Sequence, residues 1–157
     1  LVNHGRDQRL ESHELGSNLR MSEVSAAIGR IQLKRLEGWL ARRRTIADRY
    51  AGAFQNLPGL VVPAVRPATE HAWHQYCLLV DEPERLRHIL EEANIDSRVY
   101  YATPIHRQQV YAGHDQFNVT LPVTDAIAHR LVAVPVHHQM TDEEVQRVID
   151  AVVASTR

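Results

Sequence analysis

Apolar residues recur along this chain with two different periods, and the changes of period mark its elements. From Ser22 the spacing is helical: at about 100° per residue, Val24, Ala27, Ile28 and Ile31 share one side, while Gly29, Leu33, Leu36 and Leu40 gather nearly opposite. Ser22 is a suitable N-cap and Glu23 places a negative charge in the first turn, so the helix is predicted to begin there. Two apolar stripes predict a helix wedged between two bodies, with Ala26, Ala27 and Gly29 small enough for close backbone approach. The pattern continues through Trp39, Leu40, Ile46, Ala47, Tyr50 and Phe54 to the terminator Pro58-Gly59, with Gly38 the predicted kink between two arms.

Beyond that point the periods alternate. Residues 60–63 read as short and extended, 66–69 as loop, and 74–80 as a strand rich in β-formers. Leu86, Ile89, Leu90 and Ala93 mark one face of a helix ending at Asn94, and 97–101 predicts a second strand. The span 102–120 is irregular, with Pro104, Gly113 and several aromatics, and its length and polarity make it a candidate site loop. Residues 126–132 read as helix and 134–136 as extended. The last helix carries a capping box, Thr141 with Glu144, and turns Val145, Val148, Ile149, Val152 and Val153 inward. Helix and strand interleave, so the fold class is α/β (α+β): a small sheet covered by helices, preceded by a long connecting helix.

Composition narrows the function classes. The 157 residues, 44% of them hydrophobic, suffice for one core plus an appendage. Eighteen basic residues face 19 acidic ones, for a net charge of −1, which disfavours nucleic acid as a partner. No apolar run approaches the length of a membrane span, so no membrane partner is expected. The single Cys77 excludes an internal disulfide and suits a reducing, cytoplasmic setting. The polar stretch 1–17 reads as loop. The chain opens on Leu1 rather than Met, without the pattern of a signal peptide, and reads as a piece of something longer.

Few residues carry candidate chemistry. The Asn18 amide can donate to a phosphate oxygen; Gly16-Ser17 allows close backbone approach, and the helix start just beyond attracts an anion. The same short segment also reads as an ordinary turn. At the edge of the irregular loop and within it, the Tyr101 phenol and the His106 imidazole can both hydrogen-bond ligand oxygens, or His106 can be satisfied by backbone alone. Ten histidines, including His71, His74, His137 and His138, raise a metal reading, but their spacing lacks a Cys partner or patterned carboxylate and no metal site is assigned. Lys34, the one lysine, reads as an exposed helix residue, and Cys77 as an inert thiol within a strand. No nucleophile elbow and no Walker or Rossmann glycine pattern is present.

Taken in order, several segments resemble one family. They are Asn3-His4-Gly5-Arg6; Gly16, Asn18, Arg20, Met21, Ser22 and Glu23 with Ala26, Ala27, Gly29, Gln32 and Leu33; Arg42, Arg43, Arg44, Ile46, Ala47, Arg49 and Tyr50; and His71, Trp73, His74 and Tyr76. Tyr101, Pro104, His106 and Gln108 follow, then Leu121, Pro122 and Thr124, Val134, Pro135 and His137, and the closing Thr141-Asp142-Glu143-Glu144. The set resembles the DegT/DnrJ/EryC1/StrS sugar aminotransferases, which depend on pyridoxal 5'-phosphate (PLP) and share the fold-type-I, aspartate-aminotransferase architecture.

The resemblance implies the carboxy-terminal part of such an enzyme: residues 1–37 as the tail of the large PLP-binding domain and the start of the connecting helix, and 38–157 as the small domain. It implies Asn18, with Arg20 near it, at the PLP phosphate of the other subunit of a homodimer, and Tyr101 and His106 at the sugar-nucleotide site. The imine lysine would lie upstream of Leu1, which leaves no catalytic residue in this chain and makes the chain alone inactive. The complete enzyme would move an amino group from an amino acid, usually glutamate, to a keto-sugar nucleotide. Two alternatives stand beside this. Some family members carry histidine in place of that lysine and act as sugar dehydratases, and the chain also reads as a non-catalytic binding or interaction module.

Overall fold

The Oγ of Ser22 accepts a hydrogen bond from the Ser25 amide at 3.2 Å and so opens the first helix, α1 (Glu23–Leu33), where the capping pattern placed it. The structure is a computed structural model that describes residue 11 and residues 13–157; Asn3, His4, Gly5 and Arg6 lie outside the described residues. These residues fall into two compact units, one running through Gly38 and the other Trp39–Arg157.

In the first unit, α1 buries none of its residues, and Val24, Ile28, Ile31 and Leu33 are each more than half exposed. The two-sided burial that its pattern predicts is therefore not met within the described residues. The chain then breaks at Lys34 and Arg35, where the Arg35 amide donates to the Gln32 carbonyl at 2.9 Å. The predicted kink at Gly38 is displaced by this turn, and Gly38 lies inside α2 (Leu36–Phe54), where an α-helix tolerates a lone glycine.

In the second unit, α2 turns Ile46, Ala47, Tyr50 and Phe54 into the core. The sheet is antiparallel in the order β1 (Leu60–Val61), β2 (Tyr76–Val80), β3 (Leu131–Val134). Its register sets Leu60 opposite Val80, Leu78 opposite Val132 and Tyr76 opposite Val134. Those six side chains are all buried, and strand alternation puts Cys77, Leu79 and Leu131 on the other face, half-buried. Helices α3 (Pro83–Glu92) and α5 (Asp142–Ser155) pack together and contribute Leu86, Leu90, Val145, Val148 and Val152 to the same core, with Val153 half-buried against it.

Local chemistry fixes the ends of these elements. The Thr141 Oγ accepts from the Glu144 amide and the Glu144 carboxylate accepts from the Thr141 amide, which is the predicted capping box. Helix α3 stops on Asn94 at φ +54: the Asn94 amide donates to Glu91 and the Ile95 amide to Leu90, both at 2.8 Å, and Ile95 packs on the core. Gly59 sits at φ +67, and a Cβ there would lie 3.3 Å from an Asp81 carboxylate oxygen. Arginines of α2 tie the layers together. Arg43 donates to the carbonyls of Trp73 and Val136 at 2.7 and 2.9 Å, and Arg42 donates to the Met140 carbonyl at 2.7 Å and to Asp142 at 2.9 Å.

Two expected elements differ. Residues 97–101 make no full strand; only Arg98 pairs, across to Ala133, because the chain turns at Tyr100 and Tyr101 before a ladder extends. The helix expected over 126–132 is α4 (Pro122–Ala128), with Pro122 in the first turn where its missing amide costs nothing. It ends earlier than predicted because Leu131 and Val132 pair with β2.

Candidate functional site

The loop between Tyr100 and α4 is built from three short 3-10 turns, Ile105–Arg107, Gln109–Tyr111 and Asp115–Phe117. Buried Pro104 opens the first of them: the Arg107 amide donates to its carbonyl at 2.9 Å, and the Gln108 side chain braces the loop by donating to the Thr103 carbonyl at 2.9 Å. With α4 and the start of β3, this loop encloses an open concavity of about 670 Å³. Its wall is mostly apolar, from Tyr100, Pro104, Ile105, Val119, Leu121, Ile127 and Leu131, and Tyr101, His106, Gln116 and Thr124 bring polar groups to it. A largely apolar wall with a few placed polar groups is the usual composition of a small-molecule site.

His106 is the best-anchored polar group of that wall. Its side chain is only 7% exposed, and Nε2 lies 3.0 Å from Oδ1 of Asp125 on α4. The same carboxylate receives a forked pair from Arg107, Nε at 3.2 Å and Nη2 at 2.8 Å. The Arg107 hydrogen bond holds the Asp125 carboxyl below the usual carboxylate range, partial burial works against it, and the Arg107 charge and the His106 hydrogen bond add to the lowering. The Arg107 guanidinium is in turn pushed up by that pairing. An ionised carboxylate only accepts, so in the neutral imidazole the network places the proton on Nε2 and leaves Nδ1 as an acceptor.

Tyr101 stands exposed at the rim, 5.9 Å from the Tyr100 ring in an edge-on arrangement. The expected pair Tyr101 and His106 thus lines one concavity. Asn18 and Arg20 belong to the first unit, where both are exposed in the non-helical stretch ahead of the Ser22 cap. No motif in the sequence singles out Arg107 or Asp125. Arg107 follows His106 directly, but Asp125 is 19 positions away, and no local period links an acid in a helix's first turn to a loop imidazole.

The remaining candidates take structural places. His71 Nδ1 accepts from the Trp73 amide at 3.0 Å, and His138 stacks on Trp39 with centroids 4.6 Å apart. Among the described residues no three His, Cys, Asp or Glu side chains gather as a metal site, and no helix is long and apolar enough to cross a membrane. Burial pushes the half-buried Cys77 thiol up, and Lys34 is exposed at the end of α1.

A family model for the DegT/DnrJ/EryC1/StrS aminotransferase family matches residues 1–153. The chain belongs to that family. It is 32% identical over 97% of its length to dTDP-3-amino-3,4,6-trideoxy-alpha-D-glucose transaminase of Streptomyces venezuelae, covering 40% of that relative. It is 34% identical, again over 97% of its length, to dTDP-3-amino-3,6-dideoxy-alpha-D-galactopyranose transaminase of Aneurinibacillus thermoaerophilus, covering 41% of it. Among solved structures, DesV of S. venezuelae superposes over 100% of this chain and 43% of its own, with a TM-score of 0.88 and 31% identity. The chain therefore spans about two fifths of the length of the family members it matches.

Proposed function

We propose that the full-length protein is a PLP-dependent aminotransferase that moves an amino group from an amino acid, with glutamate as donor, to a keto-sugar nucleotide, and that it works as a cytoplasmic homodimer. The observation that carries this reading is the collinear match of almost the whole chain to two dTDP-sugar transaminases at above 30% identity.

Within this reading, the unit through Gly38 is the tail of the cofactor domain and Trp39–Arg157 is the small domain. The bare apolar residues of α1 support a covering by the part of the enzyme outside this chain. PLP, when bound, supplies an electron sink for chemistry at the amino carbon. The residues in hand fit its phosphate: the Asn18 amide donates, the Arg20 guanidinium brings a positive charge, and both precede a capped 11-residue helix. Lys34 is an exposed residue at the C-terminal end of α1 and is not assigned as the imine lysine, which the family resemblance puts in the large domain. Tyr101 binds hydroxyl or diphosphate oxygens of the sugar nucleotide, His106 accepts from one of its hydroxyls, and the apolar wall around them packs against its carbon surface.

The test uses the full-length protein. With added PLP it should retain a visible absorbance band through gel filtration, and it should consume glutamate beyond one equivalent per cofactor only when a keto-sugar nucleotide is supplied. Asn18→Ala should fold normally and retain the cofactor about tenfold less tightly, the scale of one lost charge-assisted hydrogen bond. Absence of a retained band together with no glutamate consumption would overturn the reading.

A further inference from the structure

The wall of the concavity holds a relay of three side chains, of which the proposed function uses only His106. Arg107 grips both oxygens of Asp125, and Asp125 Oδ1 meets His106 Nε2 at 3.0 Å. The three differ in exposure: the Arg107 side chain is half open to solvent, Asp125 less so, and His106 is almost covered. An imidazole free to rotate or to exchange tautomers offers a ligand a donor in one state and an acceptor in another. A carboxylate locked by a planar fork removes that freedom, because it accepts at one fixed place.

We propose that Asp125, held by Arg107, is a positioning residue that keeps His106 in its Nε2–H tautomer and leaves Nδ1 as the acceptor for a ligand hydroxyl. This rests on the reading of His106 as a ligand contact, and it goes further by naming the atom and the polarity of that contact. Arg107 acts one step behind, by fixing the carboxylate rather than the ring.

Two measurements on the full-length protein separate the proposal from that reading. In protein labelled with 15N at histidine, the His106 ring should show a protonated Nε2 and a bare Nδ1. Asp125→Ala should convert this into a tautomer mixture, while Asp125→Asn, whose carbonyl can accept the same proton, should preserve it. In a kinetic double-mutant cycle, His106→Ala should lower kcat/KM about tenfold, and Asp125→Ala should approach that loss when His106 is present. In the His106→Ala background, Asp125→Ala should change kcat/KM by less than about twofold. Asp125→Asn guards against a variant that misfolds, and should stay within about threefold of the parent protein. A wild-type ring protonated at Nδ1, an unchanged tautomer in Asp125→Ala, or fully additive losses in the cycle would each overturn the proposal. A silent His106→Ala would instead overturn the ligand reading of His106, with the tautomer result still deciding what Asp125 does.

Discussion

The Arg43 guanidinium donates to the carbonyl of Trp73 at 2.7 Å, and Trp73 is a bulky residue held at φ +47. That backbone region costs a non-glycine residue about 1–3 kcal/mol and persists only where the surroundings over-determine it. Here they do: His71 accepts the Trp73 amide, Arg43 takes its carbonyl, and the buried indole lies 5.1 Å from the Tyr76 ring. The arginine also holds Val136, so one side chain anchors the approach to β2 and the exit of β3 together.

Replacing Arg43 by Met keeps the aliphatic stem and removes the donors. The expected loss is about 2 kcal/mol of unfolding free energy, measured by urea denaturation. An unchanged midpoint would show that the two carbonyls find other partners.

Two tyrosines of the core should answer the same substitution in opposite ways. Tyr50 donates to the Pro135 carbonyl at 2.9 Å, whereas the Tyr76 hydroxyl is buried with no partner among the described residues. Burial, with a smaller push from the Asp48 charge, raises the Tyr76 phenol to about 12, and burial likewise raises Tyr50. Tyr50→Phe should cost about 1 kcal/mol, while Tyr76→Phe should be neutral or stabilising by up to about 1 kcal/mol. Chemical denaturation of the two variants side by side is the check.

Thr141→Ala removes half of the capping box of α5 and should destabilise by about 1 kcal/mol. Glu144→Gln keeps a side-chain acceptor for the Thr141 amide and should lose less. Thermal unfolding monitored by circular dichroism resolves the order of the two.

Asp142 carries a pH dependence of known sign. Its hydrogen bond from Arg42, then the Arg42 charge, holds the carboxyl below the usual range despite partial burial, and Arg49 adds to the lowering. A depressed folded value means the contribution is complete above the unfolded carboxylate value, about 3.9, and is lost as pH falls through the folded one. Asp142→Asn should therefore be less stable than the parent at pH near 7, and the gap should close in acid. Unfolding midpoints of both proteins at neutral pH and near pH 3 test this. A constant gap would show that the pairs contribute nothing through charge.

The cues that were legible in the sequence are the ones that act locally. The Ser22 cap, the Thr141–Glu144 box and the inward stripes of α3 and α5 depend on neighbours within one turn, and the structure places them as their spacing predicts. The misread elements depend on partners far away. Leu131 and Val132 continue an apolar run after Ile127 and Ala128, and only their pairing with Leu79 and Leu78 makes them strand. Arg98 pairs with a single residue because its neighbours turn away, which no propensity scale encodes. The site divides the same way. Tyr101 and His106 are marked by the ordered family resemblance at an irregular loop, whereas Asp125 matters only through a contact that the fold creates.

The solitary bridge at Arg98 has a further effect on how copies of this chain treat one another. It occupies both the amide and the carbonyl of Ala133, at 2.7 and 3.1 Å, on the side of β3 away from β2, while the opposite margin of the sheet is the two-residue β1. A growing fibril needs a long run of unclaimed backbone to add strands onto, and neither border offers one. Arg98→Pro, which deletes the donated amide and breaks the bridge, is the change that would open β3 to such stacking.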